Sequence, residues 1–168
     1  VAAAAIEAGA DLVNDIWGLK YDSKMAGLIA KTGVACCLMH NRENTDYQNF
    51  LADFMDDMKE CVKIAKDAGI ADDRIILDPG VGFGKTYEMN LEIIDKLEIM
   101  KELGYPVLLG TSRKSVIGLT LDLPVEEREE GTMVTTVYGV QKGCAFVRVH
   151  DIKENKRIIQ MTKAILAH

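Results

Sequence analysis

The chain has 168 residues, long enough for one domain with a sizeable core, and its 48% hydrophobic content with few aromatics suits helices and strands packed with Val, Ile, Leu and Ala. A net charge of −6 and a pI near 5.1 exclude the basic face of a nucleic-acid surface, so an anion bound here must meet a local cationic cluster. No run approaches the ~20 apolar residues of a membrane span, and the start, Val1 to Ala5 then Ile6-Glu7-Ala8, lacks the basic flank of a signal peptide, so the sequence reads as cytoplasmic, with no membrane partner.

Val1–Gly9 reads as a helix with no strand before it. A short strand follows at Leu12–Ile16, and a second, apolar throughout, at Val34–Met39. An amphipathic helix over about Tyr47–Ala68 carries Phe50, Leu51, Phe54, Met58 and Val62 on one face. Ile75–Asp78 is a third strand, and a helix over Tyr87–Leu103, ended by Gly104, carries Ile93, Ile94, Leu97 and Met100. Strands at Val107–Gly110 and Phe146–Val149 flank a helix over about Thr132–Lys142, and a last helix runs over Lys153–Ala167. Strands of this kind, buried on both faces and alternating with helices, are the pattern of parallel α/β folds. Cys36, Cys37, Cys61 and Cys144 show no metal spacing and read as buried thiols of a reducing compartment.

The densest chemistry lies at Leu77-Asp78-Pro79-Gly80-Val81-Gly82-Phe83-Gly84-Lys85, where a strand delivers one carboxylate into a glycine-rich turn. Gly80, Gly82 and Gly84 permit positive φ and close approach of backbone N–H groups to a ligand. Two phosphate motifs each fail here by one residue: a P-loop needs Gly where Pro79 stands, and a dinucleotide fingerprint needs Gly where Lys85 stands. Asp78 is left as the informative group, because a carboxylate can accept two parallel hydrogen bonds from an amidine-like edge such as that of a pterin or guanine. The plain alternative is a strand-ending Asp that caps the next turn.

Polar residues gather at the carboxyl end of every strand: Asn14-Asp15, His40, Asp78, Ser112-Arg113-Lys114 and Arg148 with His150. In parallel α/β folds, above all the (β/α)₈ barrel, that rim binds ligands. Arg148 and His150, two apart on one strand, point to the same side and form a cationic station, with a structural Arg–carboxylate pair as the alternative for Arg148. Ser115 opens a helix, as an N-cap or as an anion contact assisted by the cations beside it. His40 at a strand end reads equally well as a structural residue.

Together the Leu77–Lys85 run, Gly110-Thr111-Ser112-Arg113-Lys114-Ser115 and Arg148-Val149-His150-Asp151 resemble, in order and spacing, the motifs of the dihydropteroate synthase family, and Asn14-Asp15-Ile16 and Leu38-Met39-His40 resemble its mid-barrel strands. The resemblance implies a (β/α)₈ barrel that joins para-aminobenzoate to 6-hydroxymethyl-7,8-dihydropterin diphosphate, releasing pyrophosphate, with Mg²⁺ on the diphosphate. It implies that Asp78 and Asn14 hold the amino-pyrimidine edge, that Met39 packs near the pterin, and that Lys114 contacts its carbonyl and ring nitrogen. Arg148 and His150 would bind the diphosphate, and Phe83, Lys114 and Ser115 would frame the aminobenzoate pocket beside Gly82. Lys114, Arg148 and His150 are then the catalytic groups, no cysteine is needed, and homodimerisation is an admissible assembly.

A (β/α)₈ barrel takes about 250 residues, roughly 80 more than this chain. Val1–Gly9 resembles the helix after the family's third strand, so the expectation is a single pterin-binding domain, N-terminally incomplete, holding strands four to eight. The strand-end Asn that serves the metal, two mobile loops and the third-strand Asp would then lie outside it. Two other readings stay open: a methyltetrahydrofolate-binding corrinoid methyltransferase, which has no use for the paired diphosphate ligands, and a non-catalytic pterin-binding fragment.

Overall fold

Helices and strands alternate along all 168 residues, Val1–His168, which the computed structural model describes. Helix α1 (Ala2–Glu7) precedes β1 (Leu12–Asp15), α2 (Met25–Thr32) precedes β2 (Ala35–Met39), and α3 (Phe50–Asp67) precedes β3 (Ile75–Asp78). They are followed by α4 (Tyr87–Asp95), β4 (Leu108–Leu109), α5 (Ser115–Leu121), α6 (Glu129–Gln141), β5 (Phe146–Val147) and α7 (Ile152–Leu166). All five strands are parallel and lie in sequence order. β1 pairs β2 and β2 pairs β3, β4 pairs β5, and a Leu77–Val107 bridge joins the two groups.

The register decides which face does what. Leu38 stands beside Leu77, and Cys36 beside Ile75. These side chains belong to one buried core with Phe54, Met58 and Cys61 of α3 and Ile93 of α4. The opposite face carries Asn14, Cys37 and Ile76 in one row and Met39 beside Asp78 in the next. Alternation along a strand therefore sends the branched residues to the helices and the polar strand ends to the other side.

Several boundaries differ from the sequence reading for local reasons. The third helix starts at Phe50, not Tyr47, because the Asn49 side chain accepts the Ala52 N–H and caps it. The expected helix over Tyr87–Leu103 is two pieces: α4 stops at Asp95 and a 3₁₀ segment runs over Leu97–Leu103. Its three-residue period puts Leu97 and Met100 in line, both buried. Helix α2 is an addition to the sequence reading, being short and interrupted by Gly27. The last two strands are shorter than expected, and outer-edge residues are open to solvent, with Leu12 41% and Phe146 48% exposed. No helix is long and apolar enough to cross a membrane.

The thiols follow the sequence reading. Cys36, Cys37 and Cys61 are buried and Cys144 is partly so. Burial pushes Cys36 up to about 11 and Cys37 up to about 12, which keeps both protonated and poor as nucleophiles.

Candidate ligand-binding site

Asp78, at the carboxyl end of β3, is 1% exposed. Its Oδ1 accepts the Gly80 N–H at 2.8 Å, while Oδ2 is buried without a hydrogen-bond partner, 3.7 Å from Arg148 Nη2. One oxygen is thus already engaged by its own turn, as the capping alternative required. Bidentate recognition stays available because each carboxylate oxygen has two acceptor sites. Burial raises the Asp78 pKa, against the Gly80 N–H and the charges of Lys114, Arg148 and Lys85, which lower it. A buried oxygen with no partner, facing cations, is the feature a donor-bearing ligand would satisfy.

The three glycines adopt the conformations anticipated, with φ of 65° at Gly80, 85° at Gly82 and 55° at Gly84. At Gly80 the reason is steric as well, since a Cβ would fall 1.9 Å from the His40 carbonyl oxygen and 3.2 Å from Met39 Cγ. Gly80→Ala is expected to destabilise the protein by about 3 kcal/mol or more, read by denaturant unfolding, because left-handed backbone and an unrelieved clash add. Unchanged stability would mean that the turn is free to move.

Lys114 closes the site from the other side. Its side chain lies against Gly82, Nζ sits 4.8 Å from the centre of the Phe83 ring, and it donates to the Val81 carbonyl. Burial pushes its ammonium down to about 8, with Asp78 opposing. Arg148 crosses Gly110, where a Cβ would come within 3.0 Å of Nη2. The Ser112 hydroxyl accepts the His150 backbone N–H at 3.1 Å and lies 2.8 Å from the ring Nδ1, which fixes the imidazole at the rim of the cleft. Gly110, Ser112, Lys114, Arg148, Val149 and His150 line one cleft of about 220 Å³, the expected anion station. A larger apolar cleft of about 430 Å³ between α4, α5 and α6 contains none of these groups.

Asp78, Gly82, Phe83, Lys114, Arg148 and His150 are therefore brought together, with Met39 beneath the turn. Asn14 lies on the same sheet face, exposed, with β2 between it and Asp78. Arg113, next to Lys114 in sequence, turns away from the site and pairs with Asp151 at 2.7 Å. For Ser115 the N-cap alternative fails, since Lys114 occupies the N-cap position and Ser115 is the exposed first residue of α5.

Sequence reasoning missed the layer behind the turn. Asn90 accepts the Gly82 N–H at 2.6 Å, and partly buried Lys85 lies 2.8 Å from His40 Nδ1. The only signal for Lys85 was its place at the end of the glycine run, and mid-helix Asn90 gave none. His40 is structural: burial pushes it down to about 4 despite its hydrogen bond to Asp57, so neutral His40 donates from Nε2 to Asp57 Oδ2 at 2.9 Å. Burial pushes Asp57 up, but hydrogen bonds from His40 and Arg42 outweigh it and hold the carboxyl well below the usual range. Both groups hold fewer protons when folded than when unfolded, so stability should fall with acid. The fall begins as pH drops through His40's window, from an ordinary value near 6.5 to about 4, and continues below the ordinary Asp range. The melting temperature should decline over that range, with the first limb flattened in His40→Gln; a flat wild-type profile would contradict it.

Comparison with known proteins places this geometry. The family described as pterin binding enzyme matches residues 1–150. The chain is 64% identical over 167 residues to the dihydropteroate synthase of Clostridium beijerinckii, covering 99% of this chain and 62% of that one, and 54% identical over 166 residues to that of Bacillus subtilis, covering 99% and 58%. Among solved structures, a Clostridium difficile dihydropteroate synthase determined with pteroic acid superposes with a TM-score of 0.96 at 46% identity, covering 98% of this chain and 63% of that one. A Coxiella burnetii dihydropteroate synthase in complex with pteroic acid gives 0.92 at 32% identity, covering 98% and 64%. The fold is thus the α/β architecture of those synthases, a TIM-barrel family, and the chain spans about six-tenths of the length of the curated relatives it matches. The glycine turn behind Asp78, the cations facing it and these likenesses together show that the chain belongs to the pterin-binding enzyme family.

Proposed function

We propose that this chain carries the pterin and diphosphate sites of a dihydropteroate synthase, an enzyme of folate biosynthesis. In this reading 6-hydroxymethyl-7,8-dihydropterin diphosphate condenses with para-aminobenzoate to give 7,8-dihydropteroate and pyrophosphate. The single observation that carries it is the buried, partnerless Asp78 Oδ2, facing Arg148 and Lys114. Strands β1 to β5 would be strands four to eight of the barrel, residues 1–168 one pterin-binding domain, and the protein cytoplasmic.

The chemistry divides among the named residues. Asp78, with Asn14 across the sheet face, accepts from the amino-pyrimidine edge, Met39 packs beneath the ring, and Lys114 donates to its carbonyl and ring nitrogen. As the carbon–oxygen bond breaks, Arg148 and His150 receive the charge that develops on the diphosphate oxygen. The aminobenzoate nitrogen bonds to the methylene carbon and gives up a proton, beside Gly82, Phe83 and Ser115. Positioning and charge stabilisation carry the reaction, with no protein nucleophile. For Mg²⁺ the residues present supply no ligand set, since no group of three His, Cys, Asp or Glu side chains could hold a metal and the anion station consists of cations and hydroxyls. Its ligands are proposed to lie elsewhere, and no step here depends on it. The methyltransferase reading is disfavoured by the Lys114–Arg148–His150 cleft, and a non-catalytic fragment by how completely the site's residues converge. Homodimerisation is proposed through the apolar cleft between α4, α5 and α6, which exposes Leu121, Val134 and Tyr138.

The test uses Arg148→Ala in a protein of the relatives' full length. Affinity for the pterin diphosphate should fall about ten- to a hundredfold, and that for the pterin alcohol far less, because only the former meets the guanidinium with an anion. Equal losses for both ligands would make Arg148 structural and remove the basis for the synthase assignment.

A further inference from the structure

We propose that Lys85 is a positioning residue of this site: it ties the glycine turn to the connection after β2 and so holds Asp78 and Phe83 where they receive a pterin ring, a role that rests on the function proposed above.

Its ammonium has three acceptors in reach, His40 Nδ1 at 2.8 Å, the Gly80 carbonyl at 3.1 Å and the Phe83 carbonyl at 3.0 Å. The two carbonyls flank the part of the turn that faces Lys114. From His40 the chain of contacts runs through Asp57 to Arg42, whose Nε lies 2.6 Å from Asp57 Oδ2 and whose guanidinium stacks on the Tyr47 ring, 4.3 Å from its centre. Tyr47 closes the circuit, its hydroxyl donating to the Gly84 carbonyl at 2.7 Å, one residue before Lys85. Lys85, His40, Asp57, Arg42, Tyr47 and Gly84 thus form a ring that grips the turn at both ends, and none of them belongs to the ligand-facing set.

The protonation state matters because an ammonium has three N–H donors and an amine two. Neutral His40, donating from Nε2 to Asp57, presents Nδ1 as an acceptor, so all three Lys85 donors are needed. The charged groups facing Lys85 are Asp78 on β3, Lys114 before α5, Asp57 on α3 and Arg42 after β2. Burial, with Lys114 and Arg42, pushes Lys85 down to about 7 against the pull of Asp78 and Asp57. Lys85 holds fewer protons in this ring than with the turn open and the ammonium in water, so as pH rises through that value the relief of burying a charge outweighs the loss of one acceptor and the closed turn gains stability.

Two readouts test this on wild type, Lys85→Gln and Tyr47→Phe: hydrogen-exchange protection of the segment 79–86 and affinity for pteroic acid, each against pH. Wild-type protection, corrected for the intrinsic exchange rate, should rise as pH rises above about 7, a step that Lys85→Gln lacks because its amide does not titrate. A separate step near 8 from Lys114 should persist in that variant. Lys85→Gln should bind pteroic acid about tenfold more weakly, and Tyr47→Phe, which breaks the ring at a half-exposed position and should fold in any case, about threefold. Protection and affinity equal to wild type in both variants would overturn the inference. Failure of wild type to bind pteroic acid at all would count against the proposed function instead, and the protection step would still support Lys85.

Discussion

Asp78→Asn should abolish measurable pterin binding in a full-length protein while leaving the fold intact. The mutant amide keeps an oxygen for the Gly80 N–H, so the turn retains its internal bond. What it loses is the second acceptor. In place of Oδ2, buried and partnerless, an NH₂ group would confront the donors of an amino-pyrimidine edge, two donors face to face where water is excluded. Losing a charge-assisted pair and leaving donors unsatisfied sum to about 3–5 kcal/mol, roughly two to three and a half orders of magnitude in affinity. The substitution also removes the carboxylate that offsets Lys114 and shares with Asp57 in offsetting Lys85, which would drive both lysines further toward the neutral amine. Titration calorimetry with pteroic acid and thermal melting, run on the same samples, separate the two roles. Equal affinity in mutant and wild type takes Asp78 out of the site, and a collapsed melting temperature makes its role structural.

The second large effect concerns the 168 residues taken by themselves. Pyrophosphate release with both substrates and Mg²⁺ is expected to be undetectable for this chain, and to appear when a separately expressed segment supplies the three further strands of the proposed barrel. Barrel closure needs a strand beside β5, yet β5 pairs only with β4, and β1 pairs only with β2. The cleft at Arg148 and His150 is open on that side, where water screens the charges that must stabilise a departing diphosphate. Leu12 on one edge and Phe146 on the other, with Ile152, Met161 and Ile165 on α7, leave apolar surface exposed next to unpaired backbone. Light scattering should therefore report a mass above the monomer for the isolated chain. Turnover by the chain alone, at the rate of the complemented pair, would require another placement of the catalytic groups.

Much of the site was legible because its signals are local. Three glycines in five residues after a strand-ending Asp announce a turn with positive φ, since few other residues tolerate it, and Arg148 and His150 do line one cleft, although β5 ends at Val147 and strand alternation is not what places them there. Strand and helix type followed in the same way from apolar periodicity, which is a property of neighbours in sequence. Boundaries were less legible: Phe50 rather than Tyr47 begins α3 because a single side-chain bond from the Asn49 cap decides it, and α4 yields to a 3₁₀ segment because Leu97 and Met100 must both reach the core.

The sequence by itself determined the parallel α/β class, the glycine turn and which strand ends carry polar groups. Tertiary structure alone decided what those groups do. Arg113 and Lys114 are adjacent in sequence, yet one pairs with Asp151 while the other enters the site, because a positive φ of 58° at Arg113 turns the backbone between them. Lys85 meets His40 across 45 positions and Tyr47 reaches Gly84 across 37. Contacts at that separation depend on how elements pack, and burial, which tunes Asp78, Lys85 and Lys114 to their roles, is a property of the folded interior that no window of sequence contains.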